Sequence, residues 1–451
     1  MGATPDPGVV DAALASVGSD AERIRRMRTG PRPALGALRP AKDALTAALG
    51  AEAAALEFQR LAGLRPGEAR RLPITSLHDH ARAHALAFHE ISPARIVRMP
   101  APPVFGAVAD AGFEARTRAV FTCVLADAVV SSKSNIVIAG GQALLDFQDD
   151  ELERVPLDLA VDPILFAPAA GHGTFAIGAD AVDGAAMPEA FTLVGVNSFN
   201  YWHWHVEFLP RLIAAMDLPG FAGVPILVDA QMPPQAMVAL RFLIGDAHPV
   251  RVLAAGEAVR VTRLWTGAMF TYLPLWPLAG AAYPARTMVM DADAFVAQLH
   301  RMEPALSRLG RGDGPRRLYL ARGASQHRGM VNKPEVDAWF AAHGFETLDF
   351  GALPYEDQLR SVRDAEIIVG PNGAALVNSL FAGPGTRIGI LDNHFIEDNE
   401  WYAAVSERLG QRLSFLVGEV VDADPVYEFN ANYRIDVERL PAFLAHLAAD
   451  A

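Results

Sequence analysis

The densest group of chemically able side chains in the sequence is Asn200-Tyr201-Trp202-His203-Trp204-His205-Val206-Glu207-Phe208-Leu209-Pro210-Arg211-Leu212. Read as a strand, it places Trp202, Trp204, Val206 and Phe208 on one face and His203, His205 and Glu207 on the other, three metal ligands in a row. Read as a helix, it gathers Trp202, Val206, Leu209 and Ile213 into a core stripe and stacks His203 on Glu207 one turn apart, with His205 pointing elsewhere. The helical register makes His203 and Glu207 an acid/base pair. A purely structural, buried His–Glu hydrogen bond accounts for the same two residues without chemistry.

A second group follows an apolar strand. In Glu366-Ile367-Ile368-Val369-Gly370-Pro371-Asn372-Gly373-Ala374-Ala375-Leu376-Val377-Asn378 a turn of small residues opens a helix, and the free N–H groups of its first turn suit a phosphate. Upstream, Arg322, Arg328 and Asn332 follow the strand Leu318-Tyr319-Leu320. In an open parallel sheet the carboxyl ends of both strands face the ligand crevice, so two guanidiniums and one helix N-terminus collect on one edge. A diphosphate is the guest that arrangement suits.

These residues need elements to hold them. Of 451 residues, 51% are hydrophobic, 20% charged and 8% aromatic, the mix of a globular chain with two or three domains. The formal charge of −13 argues against a general nucleic-acid binder. The single Cys123 precludes an intrachain disulfide and reads as a buried small hydrophobe. No leader pattern or long apolar span is read in the sequence, so the expected location is cytoplasmic, with room for peripheral membrane contact. The basic cluster Arg23, Arg25, Arg26, Arg28 and Arg32 is a candidate for such contact or a solvated helix end.

Four segments emerge. Residues 1–95, Ala- and Arg-rich, read as a helical N-terminal extension, in which Ser76 and Asp79 cap a helix carrying His80 and His84 one turn apart. Residues 96–190 read as a β-rich segment of meandering strands. Residues 191–310 and 311–451 alternate strands and helices, with a linker at Gly310-Arg311-Gly312-Asp313-Gly314-Pro315 between them. The expected class is α/β, two Rossmann-like lobes facing a cleft, with Val437–Ala449 as a closing amphipathic helix.

With those motifs in this order, the sequence resembles glycosyltransferase family 61. The resemblance rests on Asn200-Tyr201-x-His203-Trp204-x-x-Glu207-x-Leu209-Pro210-Arg211-Leu212, on Leu318-Tyr319-Leu320-Ala321-Arg322 with Arg328 and Asn332, on Gly344-Phe345, Leu353 and Gln358, and on Val369-Gly370-Pro371-x-Gly373-Ala374-Ala375-Leu376-x-Asn378. It covers about 190–392; residues 1–95 match nothing comparable. It implies a GT-B architecture and an inverting transfer of a sugar from a nucleotide-sugar donor to a hydroxyl of a glycan or polysaccharide, without a catalytic metal or other cofactor. Glu207 or His203 would be the base, the other orienting it. Arg322, Arg328, Asn332, Gly370, Asn372, Gly373, Ala374, Ala375 and Asn378 would form the donor site, supported by Asn200, Arg211 and Gln358. Three departures stand out. Asn372 occupies a position where relatives carry His, Lys333 one where an acid is common, and the acid expected after the last strand is absent unless Asp392 replaces it. A catalytically idle sugar-binding protein on the same scaffold, or a metal-dependent enzyme built on His203, His205 and Glu207, are the competing readings.

Overall fold

Five short apolar runs in the last third of the chain become a parallel sheet. The computed structural model describes residues 5–16, 38–65, 67–108, 110–154, 157–169, 171–230, 232–271, 288–310, 317–323, 328–393, 399–422 and 430–449. In space the strands run Glu346–Leu348, Arg317–Leu320, Ile367–Pro371, Arg387–Asp392 and Arg412–Val417. Numbered along the chain, that is 2-1-3-4-5, a doubly wound order whose direction reverses between the first and third strands. Helices Lys333–Ala342, Tyr355–Asp364 and Glu400–Arg408 make the crossovers, and Pro at position 334 opens the first of them.

The other sheet has eleven strands and mixed direction. At one end Val250–Leu253, Ile226–Asp229, Met187–Thr192 and Ala258–Gly267 lie parallel, in chain order third, second, first, fourth. This is again an α/β arrangement with a reversal, here between Met187–Thr192 and Ala258–Gly267. Beyond Ala258–Gly267 the sheet turns antiparallel through Val120–Ser131, whose backbone leaves the extended region at Asp127 (φ 45°). The hairpin Val137–Ala139 and Gln142–Leu145 follows, and then Gly67–Ser76, His172–Gly178 and Leu165–Ala169.

Part of the expected helical extension is therefore strand. Gly67–Ser76 pairs with His172–Gly178 over seven residues, and Ala87–Ser92 pairs with Val120–Ser131. Helices Pro7–Ala15, Leu38–Leu49 and Ala51–Leu61 pack their apolar stripe on Phe166 and Ala176 of the β-rich part and on Val196. Lys42 anchors them. It is 1% exposed and donates to the carbonyls of Ala160, Asp162 and Leu165 at 2.7, 2.6 and 2.8 Å, satisfying three acceptors with one ammonium. Ser76 caps the helix Leu77–His84 through Asp79 N–H, as its spacing predicts. His80 is held by Gln142, with the His84 ring 5.0 Å away. The arginine cluster at 23–32 and all but the first residue of the Gly310–Pro315 linker lie outside the described residues.

One hydrophobic core serves both sheets. It runs from Phe191, Trp204 and Leu240 to Leu320, Tyr355 and Phe415. The C-terminal helix Leu440–Ala448 packs Phe443 and Leu447 on the five-stranded sheet and stays with it rather than crossing to the other. Among the described residues no helix is long and apolar enough to cross a membrane.

Candidate active site

The segment from Tyr201 is helical, which excludes the strand register. Asn200 caps it by accepting from Trp202 N–H at 2.9 Å, so its side chain serves the helix. One wide turn, Trp204–Phe208, interrupts Tyr201–His203 and Leu209–Met216, and Leu209 N–H reaches back to the Trp204 carbonyl. Pro210 follows at once. A proline has no N–H to give the preceding turn and its ring crowds the carbonyl four residues back, so a widened turn at this place relieves it. Arg211 then fixes the helix to the end of Met187–Thr192, donating to the Thr192 carbonyl at 3.0 Å.

His203 and Glu207 meet as the helical spacing predicts. His203 Nδ1 lies 2.9 Å from Glu207 Oε2, and the residues are 7% and 2% exposed. A carboxylate can only accept, so Nδ1 carries a proton, and in the neutral ring the lone pair is on Nε2. His205 points the other way. Its Nδ1–H donates to the Tyr201 carbonyl at 2.8 Å, and its Nε2 accepts from Tyr355 Oη–H at 3.1 Å. Burial pushes its pKa down to about 4, only partly offset by the backbone bond, so the ring is neutral. His203, His205 and Glu207 therefore do not converge on one point, and the metal-ligand register expected of a strand is not the one formed.

This helix is joined to the five-stranded sheet by polar contacts inside the core. Tyr201 Oη donates to Asn378 Oδ1 at 2.8 Å, Asn378 Nδ2 donates to Gln358 Oε1 at 2.7 Å, and Gln358 Nε2 donates to the carbonyls of Phe350 and Leu353. Asn378 is 0% and Gln358 2% exposed. Both amides, expected to support the donor, are committed to protein. Trp202 adds an edge contact to Trp401 at 5.3 Å.

The second group lies where the five-stranded sheet reverses. Arg322 leaves Arg317–Leu320, and Asn372 and Gly373 leave Ile367–Pro371, the two neighbouring strands at the reversal. Arg322 Nη1 donates to the Asn372 carbonyl at 2.9 Å, and a Cβ on Gly373 would stand 3.5 Å from Arg322 Nε. Ala374 is exposed and Asn372, Gly373 and Ala375 half-buried, so the turn into the tight helix Ala374–Phe381 is open. Gly370 has another reason to be glycine: a Cβ there would come within 3.0 Å of Leu320 Cβ and O. Arg328 sits at φ 53° with its N–H on the Asn430 carbonyl. Asn332 is turned inward, its amide accepting from Ile435 N–H at 3.1 Å and donating to the Ile435 carbonyl at 2.8 Å. It ties down the chain just after the strand Asn432–Arg434.

Asp392 ends the strand next to this turn. It is 1% exposed, with Oδ2 accepting from Asn372 Nδ2 at 2.6 Å. Burial raises its pKa to about 6, against the lowering effect of Asn372, Arg328, Asn393 N–H and Arg322. Burial together with Arg328 depresses that of Arg322. Two cations, one acid and an open helix start thus share one spot. Because the folded protein holds the Asp392 proton more tightly than the unfolded chain, its stabilising contribution is full below pH 3.8 and is lost as pH rises to about 6. Unfolding free energies of the wild type and Asp392→Asn from about pH 4 to about pH 7 are expected to shift in the variant's favour by about 2–3 kcal/mol over that range. A difference that stays flat with pH refutes the assignment.

Both groups fall in one stretch. Residues 201–389 match the family model Glycosyltransferase 61. They are a glycosyltransferase family 61 domain. No curated protein matches the chain at a significant level. The family 61 domain begins at Tyr201 and ends inside Arg387–Asp392, so it takes in the whole helix with His203 and Glu207 and both strands of the reversal. Tyr201 to Asn378 is the link that brings its two ends together. The motif signals found every residue of the pair and of the turn. They did not find Tyr355, His205's partner, for which no sequence signal exists beyond its place at the start of a helix.

Proposed function

We propose that this glycosyltransferase moves a sugar from a nucleotide-sugar donor to a hydroxyl of a glycan or polysaccharide acceptor, with inversion at the anomeric carbon. The observation that carries the reading is the meeting of Arg322 with the Asn372-Gly373 turn at the reversal of the five-stranded sheet. There the donor diphosphate would take N–H groups from the helix start and charge from Arg322 and Arg328. As the bond from the anomeric carbon to the diphosphate breaks, its electron pair stays on the diphosphate, and those groups stabilise it. The acceptor oxygen forms the new bond on the opposite face and gives its proton to His203 Nε2. Glu207 holds the imidazole in the tautomer that leaves Nε2 free. Residues 191–310 would then form the acceptor side and 311–451 the donor side of a GT-B-like pair.

The full chain, incubated with a panel of labelled nucleotide sugars and glycan acceptors with and without chelator, tests this. The expected product comes from one donor class, has the inverted anomeric configuration and survives chelator. A product with retained configuration refutes the mechanism. Nucleotide binding without any product would instead favour a binding protein on the same scaffold.

A further inference from the structure

Asp392 carries the wrong charge for its place. It stands beside the turn that suits a phosphate, and it is an acid. The residue is 1% exposed, with Asn372 Nδ2 donating to Oδ2 at 2.6 Å and Asn393 N–H donating to Oδ1 at 2.9 Å. Both of these partners are neutral. Asn372 also joins the acid to the turn: its backbone N–H donates to the Leu391 carbonyl at 2.8 Å, and its own carbonyl accepts from Arg322 Nη1 at 2.9 Å. A phosphate held by Arg322 and the N–H groups after Gly373 therefore has a single residue between it and a buried carboxyl.

The charged and titratable groups that face Asp392 are Arg322 and Arg328, from the segment after Arg317–Leu320, and Tyr433 from Asn432–Arg434. Burial and the neighbouring acid keep Tyr433 a neutral phenol, and its Oη donates to the Leu391 carbonyl at 3.0 Å. That leaves two guanidiniums as the cations of the spot. An ionised Asp392 draws on their field, and a diphosphate would draw on it again from close by. Like charges in a buried place are costly, and a carboxyl escapes that cost by taking a proton. Burial already holds Asp392 at about 6, so a further anion alongside moves its protonation into the neutral range.

We propose that Asp392 makes proton uptake a part of donor binding: its carboxyl takes one proton from solvent as the diphosphate of a nucleotide sugar enters beside Arg322 and Arg328, which leaves both guanidiniums to the phosphates. No bond of the donor changes in this step. The inference rests on the donor-site reading of that spot and adds to it the residue that sets its charge.

UDP-glucose, GDP-mannose, CDP-glucose and dTDP-glucose are the probes, titrated into the full chain by calorimetry from about pH 5 to about pH 8. Buffers of unequal ionisation enthalpy count the protons taken up. As diphosphate diesters these probes lack the phosphate ionisation near pH 6 that a free nucleoside diphosphate has. For a donor that binds the wild type, the expected uptake approaches one proton per donor at about pH 7 and nearly vanishes at about pH 5, where the carboxyl already carries it. Affinity then falls by close to tenfold per pH unit above about pH 6. Asp392→Asn, neutral throughout, takes up no proton and keeps its affinity across the range. His203→Ala keeps the uptake, which separates the carboxyl from the imidazole. Should Asp392→Asn fail to fold, the proton counts of the wild type and His203→Ala carry the test. Donor binding without uptake, equal uptake in Asp392→Asn, or uptake lost in His203→Ala overturns the proposal and leaves the donor site standing. Failure of all four probes to bind overturns the donor-site reading as well.

Discussion

Alanine at His203 is expected to slow sugar transfer by about 10²–10⁴-fold, the usual worth of a positioned general base, with donor affinity nearly unchanged. The geometry behind this is specific. Glu207 accepts the hydrogen bond from Nδ1–H in a site 2% exposed, so in the neutral ring the free lone pair is on Nε2. Glu207→Gln keeps the shape of the pair but can present its amide N–H₂ to the ring and reverse the tautomer, so it too is expected to lose activity. Its signature is a change in the acid limb of the pH–rate profile, which a merely structural role would not produce. Transfer rates for both variants, with nucleotide affinity measured alongside, decide the matter. Full activity in His203→Ala rules out the base assignment, and an unmoved profile in Glu207→Gln rules out its positioning role.

The second large effect belongs to Arg322. Removing one preorganised donor from a developing negative charge costs about 10²–10³-fold in rate, and Arg322→Ala is expected to show that loss together with weaker binding of nucleoside diphosphates. Titration calorimetry with UDP, GDP, CDP and dTDP on both proteins reads the binding arm. Selectivity among the bases should survive in the variant, because Arg322 would meet phosphate and not base. An affinity for every diphosphate equal to that of the wild type would remove Arg322 from the site. Arg322 also touches the Asn372 carbonyl, so near-ultraviolet circular dichroism of the variant is needed to show that the turn is intact.

How much of this could be read before the structure depends on how local the signal is. The parallel strands of the last third, the cap at Ser76, and the pairing of His203 with Glu207 all rest on spacing within a few residues, and they form where expected. Gly67–Ser76 does not announce itself. Arg70, Arg71 and Pro73 argue against a strand on composition, and only pairing with His172–Gly178, about a hundred residues away, makes it one. The partners of Asn332 and Asn378 are hidden from the sequence for the same reason. Each lies in a motif that suggests a ligand, yet each spends its amide on protein groups: Asn332 on Ile435, which is 103 residues away, and Asn378 on Tyr201 and Gln358. A side chain's type says what it can bond to; the fold decides which partner comes first. Asp392, by contrast, was visible as a candidate replacement for a missing acid, and it does stand beside Arg322 and Asn372.

The chain of Tyr201, Asn378 and Gln358, with His205 on Tyr355, has a consequence for how such an enzyme can change over time. The helix that carries His203 and Glu207 is seated on the sheet that carries Arg322 and the Asn372-Gly373 turn through buried amides and hydroxyls, each with a fixed partner. A C-terminal half acquired by recombination from elsewhere would have to arrive with a tyrosine, a glutamine and an asparagine already in those places, or leave polar atoms stranded in the core. On the proposed reading, new donor preferences are therefore more accessible by exchanging single residues around the Arg322 turn than by exchanging the half that holds it.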